Sequence, residues 1–421
     1  MTEVGKRQIL LDGFLMCWGM GTWLGVNGIF VQLPLLVEQL PEGWALPTSM
    51  VLFVQFANLG PITYGLLRRF LPNGSDRYYI FVLLTTGMLA LTLNAFLYDR
   101  TAMIGSTERS VAFLLLTFFT ALVGCTSSVL FYPYMRTFRD MYLATYLVGE
   151  GLSGFIPSIL ALIQGVNGEP ECLPSEDGTS LVPHFPPPLF SSTVFLLLLA
   201  SLAAISLISF ININFLKRFD SERVSLVPVS EEADKEVQEK VEQESFLSRR
   251  WLSVMLFMIV LNAFNNGVLP SIQSYSCMPY GTRAYHLSVT LGNMANPTAC
   301  LAGIWLKPMP VKFLAAMLTV NLVPMGYLVA TALLSPAPPL QNEVIGEILI
   351  VFCWTMVYAV VSYARMWVYG WARRGGARGM RVIGGVTQLG SASGSMVLFV
   401  LVNFTNLFTQ PERCPAISKI Y

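Results

Sequence analysis

Stretches of roughly 20 apolar residues recur along the chain, each long enough to cross a hydrocarbon core of about 30 Å. Eleven can be marked, at 9–37, 47–67, 78–98, 110–133, 141–165, 190–214, 251–275, 285–306, 311–333, 343–369 and 380–405. Composition removes the soluble alternative. Of 421 residues 54% are hydrophobic and only 12% charged, against about 25% charged in a soluble domain, so a globule of this size could not cover its surface. The chain therefore reads as an all-α polytopic membrane protein with 11 transmembrane helices. Asp12 interrupts the start of the first stretch, and no small-residue cleavage site lies near, so that stretch is expected to be retained.

Basic residues in the loops set the expected orientation. With the N-terminus inside, 20 of the 26 Lys and Arg lie in inner segments, and only Arg100, Arg109, Arg283, Arg413 and Lys419 lie outside. The N-terminus is expected to be cytoplasmic and the C-terminus extracellular. Residues 217–250 hold seven basic and nine acidic residues, with Phe219 and Phe246 as their only aromatics. Such a mix buries too little apolar surface to order itself, and reads as a cytoplasmic linker. It divides a six-helix half, 1–216, from a five-helix half, 251–421. Segment 166–189, rich in Pro and acidic residues, reads as an irregular outer loop.

A repeat crosses the linker. Asn27-Gly28, followed by Pro34, matches Asn266-Gly267, followed by Pro270; Asn58 before Pro61 matches Asn296 before Pro297. The paired intervals are 31 and 30 residues. Six spans separate the copies, so they run in the same direction, as two parallel repeats about an axis along the membrane normal. Gly28 and Gly267, each near a proline, are expected to break their helices, and freed backbone groups there can line a cavity. Gly21-xxx-Gly25 and Gly390-xxx-Gly394 read as close-packing sites.

Polar groups inside a membrane are costly and normally face a cavity or one another. The candidates are mostly amides: Trp23, Asn27 and Gln32 in the first span, Gln55 and Asn58 in the second, Asn262, Asn265, Asn266 and Gln273 in the seventh, and Asn293 and Asn296 in the eighth. Gln388 lies in the last. Their alternative role is to cap broken helices or bridge neighbours. Glu150, about ten residues into its span, is the one acid near the midplane, as a transport residue or as a protonated acid between helices. The net charge of +1 gives no sign of a nucleic-acid partner. Two histidines and seven scattered cysteines, with no CxxC, argue against a metal or redox cofactor. No nucleophile–base set is visible, so an enzyme is not expected.

Several segments carry a resemblance. They are Gly19-Met20-Gly21-Thr22-Trp23, Val26-Asn27-Gly28, Leu40–Trp44 (LPEGW), Ala57–Pro61 (ANLGP), Cys125–Val129 (CTSSV), Val148–Gly154 (VGEGLSG), Asn266–Tyr280 (NGVLPSIQSYSCMPY), Ala284–Leu287 and Ala295-Asn296-Pro297. Ser362-Tyr363 and Gln388–Ser391 match more loosely. Together these resemble the vertebrate-type riboflavin transporters of the solute-carrier superfamily, with the Glu150 form of the fifth-span motif most like the intestinal, pH-sensitive type. The resemblance implies a 6+5 carrier similar to equilibrative nucleoside transporters, which brings riboflavin into cells across the plasma membrane without sodium. It adds Tyr363 to the substrate-binding candidates.

Riboflavin is neutral, with a flat ring system and a hydroxylated tail, and suits a site of aromatic faces and amides with no counter-charge. Such a site would suit a nucleoside equally well, so riboflavin rests on the resemblance. Alternatives are a carrier for a nucleoside or other neutral vitamin, and a non-transporting receptor. Three positions depart from the family pattern: Gln32 stands where Glu is usual, Asn265 where Thr is, and Ala337 where Cys is. Gln32 cannot titrate, so that if transport responds to pH, Glu150 is the expected intramembrane proton carrier and His286, at an outer mouth, its rival; with no pH response the carrier is simply facilitative. Cys172, Cys277 and Cys414 are the cysteines expected on the oxidising side, and a Cys172–Cys277 disulfide is expected between the two halves.

Overall fold

The computed structural model describes residues 8–71, 74–135, 137–166, 171–174, 181–184, 186–223, 248–305, 310–372 and 376–411. The side chains of Asn296 and Cys300, the residue Cys414, and linker residues 224–247 lie outside the described set.

Apolar sequence without internal charge folds here as expected, into long helices. They are α1 (Ile9–Met20), α2 (Leu24–Gln39), α3 (Leu46–Phe56), α4 (Leu59–Phe70), α5 (Asp76–Leu97), α6 (Val111–Met135), α7 (Leu143–Gln164) and α8 (Ser192–Phe215) in the first half. In the second are α9 (Arg249–Asn262), α10 (Leu269–Cys277), α11 (Thr282–Trp305), α12 (Val311–Leu333), α13 (Val344–Ala372) and α14 (Gly376–Phe404). Among the described residues nine helical segments are long and apolar enough to cross a membrane, and the bent pair α1–α2 makes a tenth. Helix α11 is 24 residues long but stands outside that count; it carries His286, Ser288, Thr290 and Asn293.

The irregularities fall near the motifs, with one correction. The first span bends by 51° between α1 and α2, at Gly21–Trp23, and not at Gly28. Helix α2 runs unbroken through Gly28 and Pro34. Gly28 serves packing instead: a Cβ there would lie 2.2 Å from Leu199 Cδ1, so the glycine lets α2 approach α8. The second span breaks at Ala57–Asn58, between α3 and α4. In the seventh, Ala263–Val268 is π-helical, the single-turn widening that often marks a functional site. The expected close-packing glycines are in contact. A Cβ on Gly21 would meet Ser206, one on Gly25 would meet Thr120, and ones on Gly390 and Gly394 would lie 2.3 and 2.2 Å from the carbonyl oxygens of Ile259 and Ala263.

Two loop expectations are also corrected. Segment 166–189 is not wholly irregular, because Glu171–Pro174 and Leu181–His184 pair as an antiparallel hairpin. A second hairpin pairs Ala102–Ile104 with Thr107–Arg109. The linker begins with an ordered turn, the 3₁₀ helix Lys217–Glu222. Phe219 is fully buried there, edge-on to Phe14 at 6.1 Å, and Glu222 pairs with Arg139 at 3.4 Å. One buried aromatic and one ion pair between buried Glu222 and partly exposed Arg139 supply the order that composition alone did not suggest.

Helix contacts repeat between the halves. The α1–α2 segment packs on α7, and the π-helical segment packs on α14; α7 packs on α11, and α3 packs on α14. The core divides unevenly. On the side away from the N-terminus one apolar cluster joins both halves, from Leu33, Leu36 and Trp44 to Tyr275, Tyr285 and Trp354. On the N-terminal side there are two separate clusters. Leu15, Trp18, Phe131 and Phe210 belong to the first half alone, and Trp251, Met258, Val368 and Ile383 to the second alone.

Candidate functional site

Two matched hydrogen bonds organise the middle of the molecule. In the first half Asn27 on α2 donates from Nδ2 to Ser153 Oγ on α7, at 3.3 Å. Ser153 donates to the carbonyl of Glu150 at 2.6 Å. In the second half Asn266, in the π-helical turn, donates from Nδ2 to Ser391 Oγ on α14 at 3.0 Å, and Ser391 donates to the carbonyl of Thr387 at 2.9 Å. The partners are 126 residues apart in the first pair and 125 in the second. Each serine satisfies its own proton along its helix and leaves its oxygen to the amide. Asn27 and Asn266 are half-buried. Gly154 admits α11 beside the first pair: a Cβ there would lie 3.3 Å from Asn27 Nδ2 and 3.6 Å from the Asn293 carbonyl oxygen.

The π turn gathers three amides. Asn265 donates to Asn266 Oδ1 at 2.8 Å, and Asn266 reaches Asn262 Oδ1 at 3.4 Å. Asn262 is fully buried and donates back to the Met258 carbonyl of its own helix at 2.8 Å. Asn265 Oδ1 and Gln273 Nε2 are buried without a hydrogen-bond partner among the described residues. A buried unmade bond costs about 1–3 kcal/mol. At the α3–α4 break Asn58 donates to Gln55 at 3.1 Å. Trp23 lies at the α1–α2 bend with its ring against Gly124. Tyr363 on α13 and Gln388 on α14 are half-buried.

Glu150 is half-buried and accepts a 2.5 Å hydrogen bond from the Tyr132 hydroxyl on α6. Tyr132 packs edge-on against Tyr146, with centroids 5.8 Å apart. Gln32 is placed elsewhere: it is fully buried and donates to Gln164 at 2.5 Å, which donates to the Phe190 carbonyl at 2.8 Å. That chain ties α2 to α7 and to the segment before α8. Ser153, Ser391 and Tyr132 were not singled out from sequence. The signal for the serines was the near-equal spacing from the two asparagines.

Two expectations fail on geometry. Cys277, at the end of α10, is a free thiol, fully buried, while Cys172, in the hairpin of Glu171–Pro174 with Leu181–His184, is disulfide-bonded. The expected Cys172–Cys277 pair does not form because α10 turns Cys277 inward, beside Ser276, Ser288 and Trp354. His286 is not an open sensor at the mouth of α11. Its side chain is 5% exposed, with Nε2 2.9 Å from the Ala161 carbonyl oxygen on α7.

Solved structures resemble the fold. A D-xylose–proton symporter matches with a TM-score of 0.59 at 11% identity, covering 93% of this chain and 89% of that one. A mutant of the nucleoside transporter NupG matches with a TM-score of 0.56 at 11% identity, covering 95% and 92%. At such identity the likeness shows the fold alone. The family model described as "Solute carrier family 52, riboflavin transporter" matches residues 7–410. Solute carrier family 52, riboflavin transporter, member 3-B of Danio rerio is 36% identical over 96% of this chain and 98% of its own length. Human member 3 is 34% identical over 95% and 97%, and human member 2 is 33% identical over 97% of each. With amides, not charges, at the middle of a transporter fold and family relatives along nearly its whole length, the chain belongs to solute carrier family 52, the riboflavin transporters.

Proposed function

We propose that this protein carries riboflavin into cells across the plasma membrane by alternating access, independently of sodium. It does so as an eleven-span 6+5 carrier built from two parallel repeats, with the organisation expected of equilibrative nucleoside transporters. The halves are 1–216 and 251–421, joined by the cytoplasmic linker 217–250. The N-terminus is cytoplasmic and the C-terminus extracellular. The observation that carries the reading is the divided core: one cluster joins the halves on the side away from the N-terminus, and separate clusters serve each half on the N-terminal side. A carrier closed to the outside and parted on the inside has this distribution. The matched Asn27–Ser153 and Asn266–Ser391 pairs support the repeat. They also offer neutral donors and acceptors to a neutral, hydroxylated substrate.

Trp23, Asn27, Gln55, Asn58, Asn265, Asn266, Gln273, Tyr363 and Gln388 form the substrate site in this reading. Asn262 holds Asn266, Gln32 holds the far end of α2, and Glu150 with Tyr132 is the proton-responsive pair. The test is uptake of labelled riboflavin by cells expressing the chain, with unlabelled riboflavin, FMN and uridine as competitors, in sodium and in choline medium. Competition by riboflavin and equal rates in both media are expected. Competition by uridine without riboflavin would refute the substrate.

A further inference from the structure

The turn between α2 and α3 is built as a strut. Its outer-loop sequence Leu40–Trp44 ends in the 3₁₀ turn Gly43–Ala45. Gly43 has φ +55°, a left-handed conformation that favours glycine. A Cβ there would also fall 2.6 Å from the Gln410 side chain. One end of the turn is anchored to its own half. Glu42, 8% exposed, accepts from Ser110 N–H and Ser110 Oγ, both at 2.7 Å, at the start of α6.

The other end clasps the opposite half. Trp44 N–H donates to Gln410 Oε1 at 3.1 Å, and its carbonyl accepts from Ser274 Oγ at 2.6 Å. Its ring meets Tyr275 edge-on at 5.9 Å, and Tyr275 rests on Phe408 at 5.4 Å. One turn along, Thr48 Oγ1 donates to the Ser271 carbonyl at 2.9 Å. No step in holding the substrate uses these contacts, yet all but the Tyr275–Phe408 ring contact cross between the halves on the side where the core is joined.

We infer that Trp44 is the latch of the outer gate: outward opening releases Trp44 from Gln410, Ser274 and Tyr275, while the Glu42–Ser110 anchor carries the turn with the first half. The inference rests on the alternating-access reading. It makes the residues around Trp44 determinants of how often the carrier faces outward, separate from those that touch substrate. A binding site open in only a fraction of molecules binds external ligand in proportion to that fraction. Loosening the latch therefore raises outward exposure without changing the site.

The test uses the full chain in cells, with Val51→Cys as reporter. Val51 is 2% exposed on α3, between Thr48 and Gln55. A membrane-impermeant maleimide is applied from outside, and the chain without the reporter gives the background. Gln410→Ala and Ser274→Ala each remove one hydrogen bond and should each raise the labelling rate about 2- to 10-fold. Arg283→Ala, which breaks an exposed pair with Glu347 within the second half, should leave it unchanged. Labelling equal to the reporter alone in both latch variants, at normal surface expression, would overturn the latch, as would an equal rise in the Arg283 variant. Riboflavin uptake in the same cells separates the two readings. Labelling that responds while the unmodified chain takes up no riboflavin refutes the substrate and keeps the latch. Saturable uptake with unresponsive labelling does the reverse.

Discussion

Replacing Asn266 with Ala gives the sharpest test of the amide site, because the structure predicts unequal costs for the two matched asparagines. Asn266 accepts from Asn265 at 2.8 Å and donates toward Asn262 and Ser391 at 3.4 and 3.0 Å. Removing it strips the acceptor from Asn265 Nδ2 and the donor from Asn262 Oδ1, while Ser391 keeps its bond to Thr387. Two buried groups without partners amount to about 2–6 kcal/mol of stability. Asn27→Ala removes a single bond of 3.3 Å, and Ser153 keeps its bond to the Glu150 carbonyl, so the loss is about 0.5–1.5 kcal/mol. If both asparagines also bond riboflavin, each variant raises KM, by up to about tenfold for a loss of 1.4 kcal/mol. Saturation kinetics of uptake, normalised to surface protein, read the second effect. Thermal melting of purified protein with and without riboflavin reads the first. The expected pattern is a large fall in melting temperature for Asn266→Ala, a small one for Asn27→Ala, and comparable rises in KM. Unchanged kinetics in both variants would make the amides purely structural and refute the reasoning.

Glu150→Gln should flatten the response of uptake to external acid while retaining substantial transport, since Gln keeps the side chain's shape opposite Tyr132; a full response in that variant, lost instead in His286→Ala, would move the proton to His286. Gly394→Ala should destabilise the protein by about 1–3 kcal/mol, because its Cβ would lie 2.2 Å from the Ala263 carbonyl oxygen. Gly65→Ala, with nothing within 4 Å, serves as control, and equal melting temperatures would contradict the packing argument. Cys277→Ser should leave the non-reduced peptide map unchanged, with Cys172 still protected from alkylation; a newly reactive Cys172 would restore the discarded pair. The sequon Asn403-Phe404-Thr405 should carry no glycan, because Asn403 lies in α14 and bonds the Phe399 carbonyl at 3.0 Å. A mobility shift on deglycosylation that Asn403→Gln abolishes would refute this.

Most of the spans were legible because a bilayer imposes both length and apolarity on any crossing segment; among the described residues nine helical segments, with the α1–α2 pair as a tenth, meet that test. The close-packing glycines were legible for a related reason: in lipid, tight helix contact depends on small residues. Local distortions were less so. Gly28 with Pro34 and Gly267 with Pro270 carry the same local signal, yet one sits in a continuous helix and the other in a π turn. What separates them is the neighbour. Gly28 faces the flexible end of Leu199, whereas a Cβ on Gly267 would lie 2.6 Å from the backbone of Gly394 and Ser395. The ordered start of the linker was hidden likewise, since Phe219 and Glu222 take their order from Phe14 and Arg139, far away in sequence.

The amides show where reading by residue type stops. Sequence marked Asn27, Gln32, Asn262 and Asn266 as equivalent polar intrusions, and the structure gives them different duties. Gln32 and Asn262 spend their hydrogen bonds on Gln164 and Met258, both deep in the fold. Asn27 and Asn266 instead face small partners, Ser153 and Ser391, whose hydroxyl protons are committed to their own helices. A serine so committed accepts from the amide but does not donate to it, so each asparagine oxygen is left for other donors: Asn265 takes the one in the second half. Among the described residues the Asn27 oxygen has no equivalent neighbour in its half, since Val26 precedes it where the second half places Asn265 before Asn266. In the proposed site the two halves therefore present unlike faces, an arrangement that would suit a molecule with a flat ring at one end and a hydroxylated chain at the other.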